Sequence, residues 1–413
     1  MTYKRRLRTL FVLGAMLLGA SSLAPMSRAL GYGAGTFALE VDPGPYVGGT
    51  TIPIKTRGLS GDAPIFSVIG PGEIQQSSYV APLVRQRSSV TLIAATLQAF
   101  ALQNLQLVPP PDAHAHLIAV ATYYSGIVLH SARDFHIAGI VPIDGAAGDV
   151  ASAVNGDLYV PATDSTMLYD VSRTPWQVNR IRNVPFGNEA AVDPSDGAVF
   201  VSNRDVEGKG ALTRIRNGTV DRVITGTTAE GLALDAPRHL IYVGNINDDS
   251  IAEVDTRTLH IVRRIASVPR TFGMALDGSH HRLFVVSNQN VGMAGGGYVA
   301  TLDLISAKVV RRSARFPFPI GIAFDPRRNV LFVTDEDAAV IYVLDAHTLH
   351  ERRSPLRACA VPWRPHLDLV SRRLYVPCAR ANRVVVFDAD RYQPVTGSPF
   401  LTGRYPLSVA TSG

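Results

Sequence analysis

Three side chains suited to general acid–base chemistry, Glu189, Glu230 and His366, fall where one phrase of this 413-residue sequence ends and the next begins. A carboxyl or imidazole at such a joint works as a base near neutral pH only if burial moves its pKa towards 7. These three are the candidate catalytic residues. The same joints carry Phe186, Phe272, Phe318, Trp363 and Tyr405, with Arg364 directly after Trp363. Asn288 and Asn290 lie in a long polar stretch, Ser287–Gly297. An apolar opening with a few polar groups suits a ligand, so these aromatic residues, Arg364 and the two asparagines form the expected ligand-binding set. Some of the aromatics are expected instead to wedge neighbouring elements together.

Other chemistry is poorly supplied. The chain has no GxSxG, HExxH or P-loop motif, and no GxGxxG after a strand. The Gly-rich GMAGGGY joins two strand-like runs, so it is not a phosphate cradle. NINDDS (245–250) and TDEDA (334–338) lack the spacing and distal Glu of a calcium loop and read as solvated turns. No cofactor and no metal site is expected. The chain has two cysteines, Cys359 and Cys378, too far apart for a CxxC redox pair. A single structural disulfide in an oxidising compartment is the expected use.

The elements that position these groups repeat. The apolar triplets beginning at Leu117, Leu158, Val199, Ile241, Leu283, Leu331 and Leu374 are separated by 41, 41, 42, 42, 48 and 43 residues. Short alternating runs at that period are the pattern of β-propeller blades, four strands each. Around Leu331, IGIAFD reads as the inner strand, LFVTD as the second and VIYVLD as the third. An Asp precedes the triplet by six residues at Asp193, Asp235, Asp277, Asp325 and Asp368. A residue shared by every repeat serves what every repeat shares, so these are read as turn residues rather than a metal ring. Before Leu117 no inner strand is evident, and the end of the chain, Leu407–Ala410, is expected to supply it. In a propeller the second-to-third-strand loops and the connections between blades emerge on one face, around the mouth of the central channel. The candidate residues and the extra length at 287–297 all fall there.

The phrases VFVSN, IYVGN and LFVTD, each followed by a small turn and a V-x-V-x-D-like strand, resemble those of YVTN-type (surface-layer-like) β-propeller repeat proteins. The resemblance covers residues 112–413 and implies a fold more than a function, since propellers host binding proteins, hydrolases and electron-transfer subunits. The expected fold is all-β: a seven-bladed propeller closed by the C-terminal strand. Residues 36–108 lack the period and read as a small sandwich. PIFSVIGPGEIQQSSYVAP resembles a bacterial Ig-like phrase, with Phe66 in place of the usual Trp, and Val108–Pro111 reads as a stiff joint.

The N-terminus has a basic stretch (Lys4, Arg5, Arg6, Arg8), an apolar run Leu10–Ala20 and a small-x-small site at Ser27–Ala29. That is the layout of a secretory signal peptide, residues 1–29. The formal charge of +6 falls to +1 once the five basic residues of 1–29 are removed, so nucleic acid is not an expected partner. The mature chain is expected to be secreted or periplasmic, with no membrane span. The functional expectation is an exported binding module for a protein, peptide or glycan. The alternatives are a lactonase-like hydrolase or lyase using the mouth Glu and His residues, and a purely interactive subunit of a periplasmic redox complex.

Overall fold

The computed structural model describes residues 37–58, 63–97, 99–288 and 296–412. The expected signal segment 1–29 and Asn290 lie outside the described residues. Within them the regular structure is strand apart from three single-turn 3₁₀ segments, and no helix is long and apolar enough to cross a membrane.

Each apolar triplet lies in the second strand of a sheet, as in Leu158–Pro161, Val199–Val206 and Val330–Asp335. Successive strand residues point to opposite faces, and here both faces are buried because sheet packs on sheet. Leu331 and Val333 pack with Phe284 and Val286 of the preceding sheet. Phe332 packs with Leu374 and Val376 of the following one. Such clusters lie between each sheet and the next, and between the seventh and the first, where Tyr375 and Val384 meet Ile118 and Val120.

From Ala151 to Arg357 the chain forms five successive four-stranded antiparallel sheets, and five strands from His366 to Leu401 form another. Strands Leu117–Thr122, Gly126–Ser131 and Ile137–Val141 obtain their inner neighbour from the end of the chain. Pro406–Ser412 pairs antiparallel with Leu117–Thr122, Ala119 opposite Ala410. The first strand of each sheet packs against the first strand of the next, and Pro406–Ser412 touches both Ala151–Ser152 and His366–Asp368. Successive four-stranded sheets packed by their inner strands are the architecture of a β-propeller.

The residues before the repeats share its first sheet. Tyr46–Val47 lies parallel between Ile137–Val141 and Phe100–Val108, so one eight-stranded sheet runs from Pro406–Ser412 out to Ile65–Ile69. Arg173 fastens the beginning of the repeats to their end. It donates to Ser412 Oγ at 2.9 Å, to the Ala115 carbonyl at 3.0 Å and to the Asp112 carbonyl.

Four of the five repeated aspartates accept hydrogen bonds from their own turn, Asp193 from Ser195 N–H and Asp325 from Arg327 N–H among them. Asp235 instead pairs with Arg238 at 2.9 Å. The disulfide is formed: Cys359 and Cys378 are bonded across a Cα–Cα distance of 5.8 Å, joining the connection between the sixth and seventh sheets to the end of strand Arg373–Cys378.

Candidate functional site

One backbone bond recurs at every joint. Tyr123, Thr163, Arg204, Ile246, Asn288, Glu336 and Ala379, each just beyond a second strand except Arg204, which lies within the last residues of Val199–Val206, donate N–H to the carbonyls of Tyr405, Ala146, Phe186, Thr228, Arg270, Phe318 and Val361 respectively. The distances are 2.9–3.1 Å. Phe186, Thr228, Arg270, Val361 and Tyr405 accept with φ between 46° and 59°, a conformation that costs a non-glycine residue energy and persists only where its surroundings fix it. The bond places all seven joints on one level of the propeller face.

Just beyond this bond the inner strands bulge. The register shifts between Gly187 and Ala190, Ala229 and Leu232, Thr271 and Met274, and Pro319 and Ile322. A bulge inserts an extra residue and re-aims its side chains. The inserted pairs are Asn188–Glu189, Glu230–Gly231, Phe272–Gly273 and Ile320–Gly321.

Counting three residues on from each accepting carbonyl gives one layer around the axis: Asp149, Glu189, Gly231, Gly273, Gly321, Arg364 and Ser408. The glycines are required by close approach. A Cβ on Gly231 would lie 2.3 Å from the Phe272 carbonyl, and one on Gly273 2.6 Å from that of Ile320. Three of the other four positions, Asp149, Glu189 and Arg364, are charged, and Arg364 bridges this half of the layer. Its Nε lies 2.9 Å from Glu189 Oε1 and its Nη2 3.6 Å from Glu230 Oε1, while Nη1 donates to the Gly148 carbonyl at 3.2 Å. The Glu189 contact is a charge pairing rather than an aligned hydrogen bond, because no acceptor lies in line with the Arg364 Nε–H.

The second oxygen of Glu189 accepts the Leu232 N–H at 2.7 Å. Asp149 accepts the Ala190 N–H at 2.9 Å. Glu230, whose side chain is 2% exposed, receives Arg204 side-on, through Nε at 2.7 Å and through Nη2. Burial pushes the Glu189 carboxyl up to about 7; Arg364 opposes the rise and Asp149 adds to it. Burial also raises Asp149 against the pull of Arg364 and Ser408. The two glutamates are thus brought together on Arg364. His366 is not joined to them: its Nε2 lies 3.0 Å from Thr411 Oγ1, and burial lowers its pKa to about 4. Among the described residues no group of three or more His, Cys, Asp or Glu is placed to hold a metal ion.

The expected aromatic set divides. Phe272 and Trp363 meet edge to face at 6.4 Å and pack with Phe318, Ile246 and Ile320, wedging the fourth to seventh sheets. Trp363 is half-buried and also reaches the cluster holding Tyr405. Tyr405 stands at 6.1 Å from both Tyr123 and Tyr124, with Arg404 over the Tyr124 ring at 5.6 Å. Phe186 is 39% exposed. Asn288 is buried, with its carbonyl accepting Arg270 Nε at 3.2 Å.

Sequence reasoning did not single out Asp149, Arg204, Tyr123 or Tyr124. The signal was present: aligning the joints puts Asp149, Glu189 and Arg364 where three other repeats have glycine.

No family model matches the chain, and no curated protein matches it. Solved structures do. A functionally unknown protein from Desulfotomaculum acetoxidans superposes with a TM-score of 0.60 at 12% identity, over 72% of this chain and 99% of that one. Kuenenia stuttgartiensis hydrazine synthase gives 0.56 at 14% identity, over 72% and 92%. The dihydro-heme d1 dehydrogenase NirN, in complex with DHE, gives 0.51 at 14%, over 72% and 75%. At these identities the likeness is one of fold.

Proposed function

We propose that the chain is an exported binding module. An Ig-like unit, residues 36–108, precedes a closed seven-bladed YVTN-type propeller, residues 112–413, whose channel mouth recognises a protein, peptide or glycan. The apolar cluster between the seventh and first sheets and the pairing of Pro406–Ser412 with Leu117–Thr122 support closure. The disulfide supports an oxidising destination, secreted or periplasmic, with residues 1–29 as the removable signal.

The observation that carries the binding reading is the pairing of Glu189 and Glu230 with Arg364 and Arg204. Carboxylates satisfied within the protein hold the mouth rigid, while Tyr123, Tyr124 and Phe186 face solvent around them. Rigid aromatic groups beside fixed charges are the composition of a recognition surface.

A second reading has one observation in its favour. Glu189 with a pKa of about 7 has the value a general base needs, as a lactonase-like hydrolase or lyase would require. A thermal-shift panel of oligosaccharides, peptides and lactones, followed by turnover assays on the stabilising compounds, separates the two. A ligand at 100 times its Kd adds about 2.7 kcal/mol. The binding reading expects a stabilising ligand whose effect Phe186→Ala or Tyr124→Ala removes, with no turnover. Lactone hydrolysis abolished by Glu189→Gln would replace it with the enzymatic one.

A further inference from the structure

We infer that the mouth takes a uronate-bearing glycan, with Arg204 as the receptor for the sugar carboxylate and Tyr123, Tyr124 and Tyr405 as the wall against which the ring lies. This deepens the binding reading and rests on it.

Arg204 is held for the purpose. Its Nε and Nη2 are engaged side-on by Glu230, a carboxylate almost without exposure, yet the Arg204 side chain is 41% exposed. Nη1 has no hydrogen-bond partner among the described residues, so the outer Nη1–Nη2 edge of a planar, fixed guanidinium faces the mouth. A guanidinium edge pre-set in this way accepts a second carboxylate with little loss of side-chain freedom. Burial disfavours the charged form of Arg204, but Glu230 outweighs it and the group is held more firmly charged than usual. Tyr123 lies within electrostatic reach of the same guanidinium, so the tyrosine wall and the arginine border one space.

Between them, in the second repeat, the joint consists of the small residues Ala146, Gly148 and Thr163 and of Asp164, whose carboxylate accepts the Ala146 N–H at 2.7 Å; it is bounded on one side by Tyr123 and Tyr405 and on the other by Arg204 and Phe186. The tyrosines are fixed by backbone bonds: Tyr123 N–H to the Tyr405 carbonyl, Tyr124 N–H to that of Arg404, and Tyr405 N–H to Asn382 Oδ1. Arg404 N–H is taken by Ser125 Oγ.

Those same bonds weigh against one ligand class. A peptide that binds as an added strand needs free main-chain donors, and the four N–H groups of this wall are already spent. What remains to recognise a ligand is ring faces, phenol hydroxyls and guanidinium edges. A pyranose, with apolar C–H faces, hydroxyl edges and one carboxylate, matches that set. Arg404, stacked over Tyr124, adds a second positive charge at the opening.

The test is calorimetric titration of the full mature chain with galacturonate and mannuronate trimers, the galacturonate trimer methyl ester, and a short apolar peptide with a free C-terminus. We expect at least one acidic trimer to bind, its neutral ester to bind at least tenfold more weakly, and affinity to fall at high salt. Tyr124→Ala should weaken binding severalfold with an unchanged thermal midpoint, and Arg204→Lys, which keeps the charge but loses the planar edge, at least tenfold. Tyr124 is 60% exposed, so that variant remains informative if Arg204→Lys disturbs the fold. Ester and acid binding alike, or the peptide binding in a Tyr124-dependent way while the trimers do not, would overturn the uronate inference and leave mouth recognition standing. Turnover of a lactone without trimer binding would remove both.

Discussion

Substitution of Glu189 by Gln should change how the stability of this protein depends on pH. In the folded chain the Glu189 carboxyl holds its proton up to about pH 7, against an ordinary value of 4.5, chiefly because it is buried. Its side chain is 15% exposed, so solvent screens it little. Between these two values the folded state binds the proton and the unfolded state does not, so stability falls as pH rises through the window. At about 1.4 kcal/mol per pH unit, the full span corresponds to about 3 kcal/mol. Gln has no proton to lose and still offers an oxygen to the Leu232 N–H, so the variant should lack this slope. Asp149 is raised in the same direction and adds to the rise of Glu189, so the difference between the two proteins reports Glu189 together with its coupling to Asp149. Urea unfolding at about pH 5, 6, 7 and 8 measures the effect: wild type should lose about 2.5 kcal/mol more than Glu189→Gln between the extremes. Parallel curves would show that Arg364 keeps Glu189 ionised and that the buried, proton-holding carboxyl is wrong.

The disulfide spans 19 residues, so its removal by Cys359→Ser with Cys378→Ser should cost about 3 kcal/mol, read as a lower denaturation midpoint matched by wild type under reductant. Arg372 pairs through Nη2 with Asp325, whose side chain has no exposure, and with Asp390 at 2.9 Å. Arg372→Met should therefore destabilise by about 3–5 kcal/mol by leaving a buried carboxylate unpaired; a change within experimental error would refute the pairing. Gly321→Ala would put a Cβ 2.4 Å from Pro365 Cδ and 2.9 Å from Arg364 Cα. It should cost about 1–3 kcal/mol, whereas Gly218→Ala, in open space but at positive φ, tests backbone strain alone. Deleting residues 406–413 removes the inner partner of Leu117–Thr122 and should abolish cooperative unfolding, monitored by near-ultraviolet circular dichroism.

Much of the scaffold was legible because a strand buried on both faces writes itself as an apolar run. LFVT and IYVG carry that signal locally, and the interval of roughly 42 residues carries the repetition. The missing inner strand before Leu117 and the sequence YPLSVATSG at the other end implied their pairing, which sets Ala119 opposite Ala410. The turn role of the aspartates was legible for the same reason, since a local Asx bond needs only the neighbouring residues. Asp235 departs from it because the residue two on is Pro237, which has no N–H to donate, and its carboxylate pairs with Arg238 instead.

The site was legible in part. Glu189, Glu230 and Arg364 stand out in sequence as charged groups at joints, yet their interaction joins three sheets and depends on bulges that no local pattern marks. His366 shares their neighbourhood in the chain but turns to Thr411, because an extra residue between the Pro362–Cys378 bridge and the His366–Tyr375 pair breaks the alternation that would otherwise set it on the side of Arg364. The tyrosine wall was missed because Tyr123 and Tyr124 sit in an ordinary-looking turn, and only the return of the chain end brings Tyr405 and Arg404 beside them.

The sequence by itself determined the all-β repeat, its period, the burial of each triplet and the cysteine pair, because these follow from alternation and spacing within about 40 residues. Tertiary structure alone decided which charges meet at the axis, which carboxyl keeps a proton near pH 7 and which aromatics stay exposed. Those outcomes depend on distances between residues more than 100 positions apart in the chain, such as Glu189 and Arg364, and on the water excluded when seven sheets pack their inner strands together.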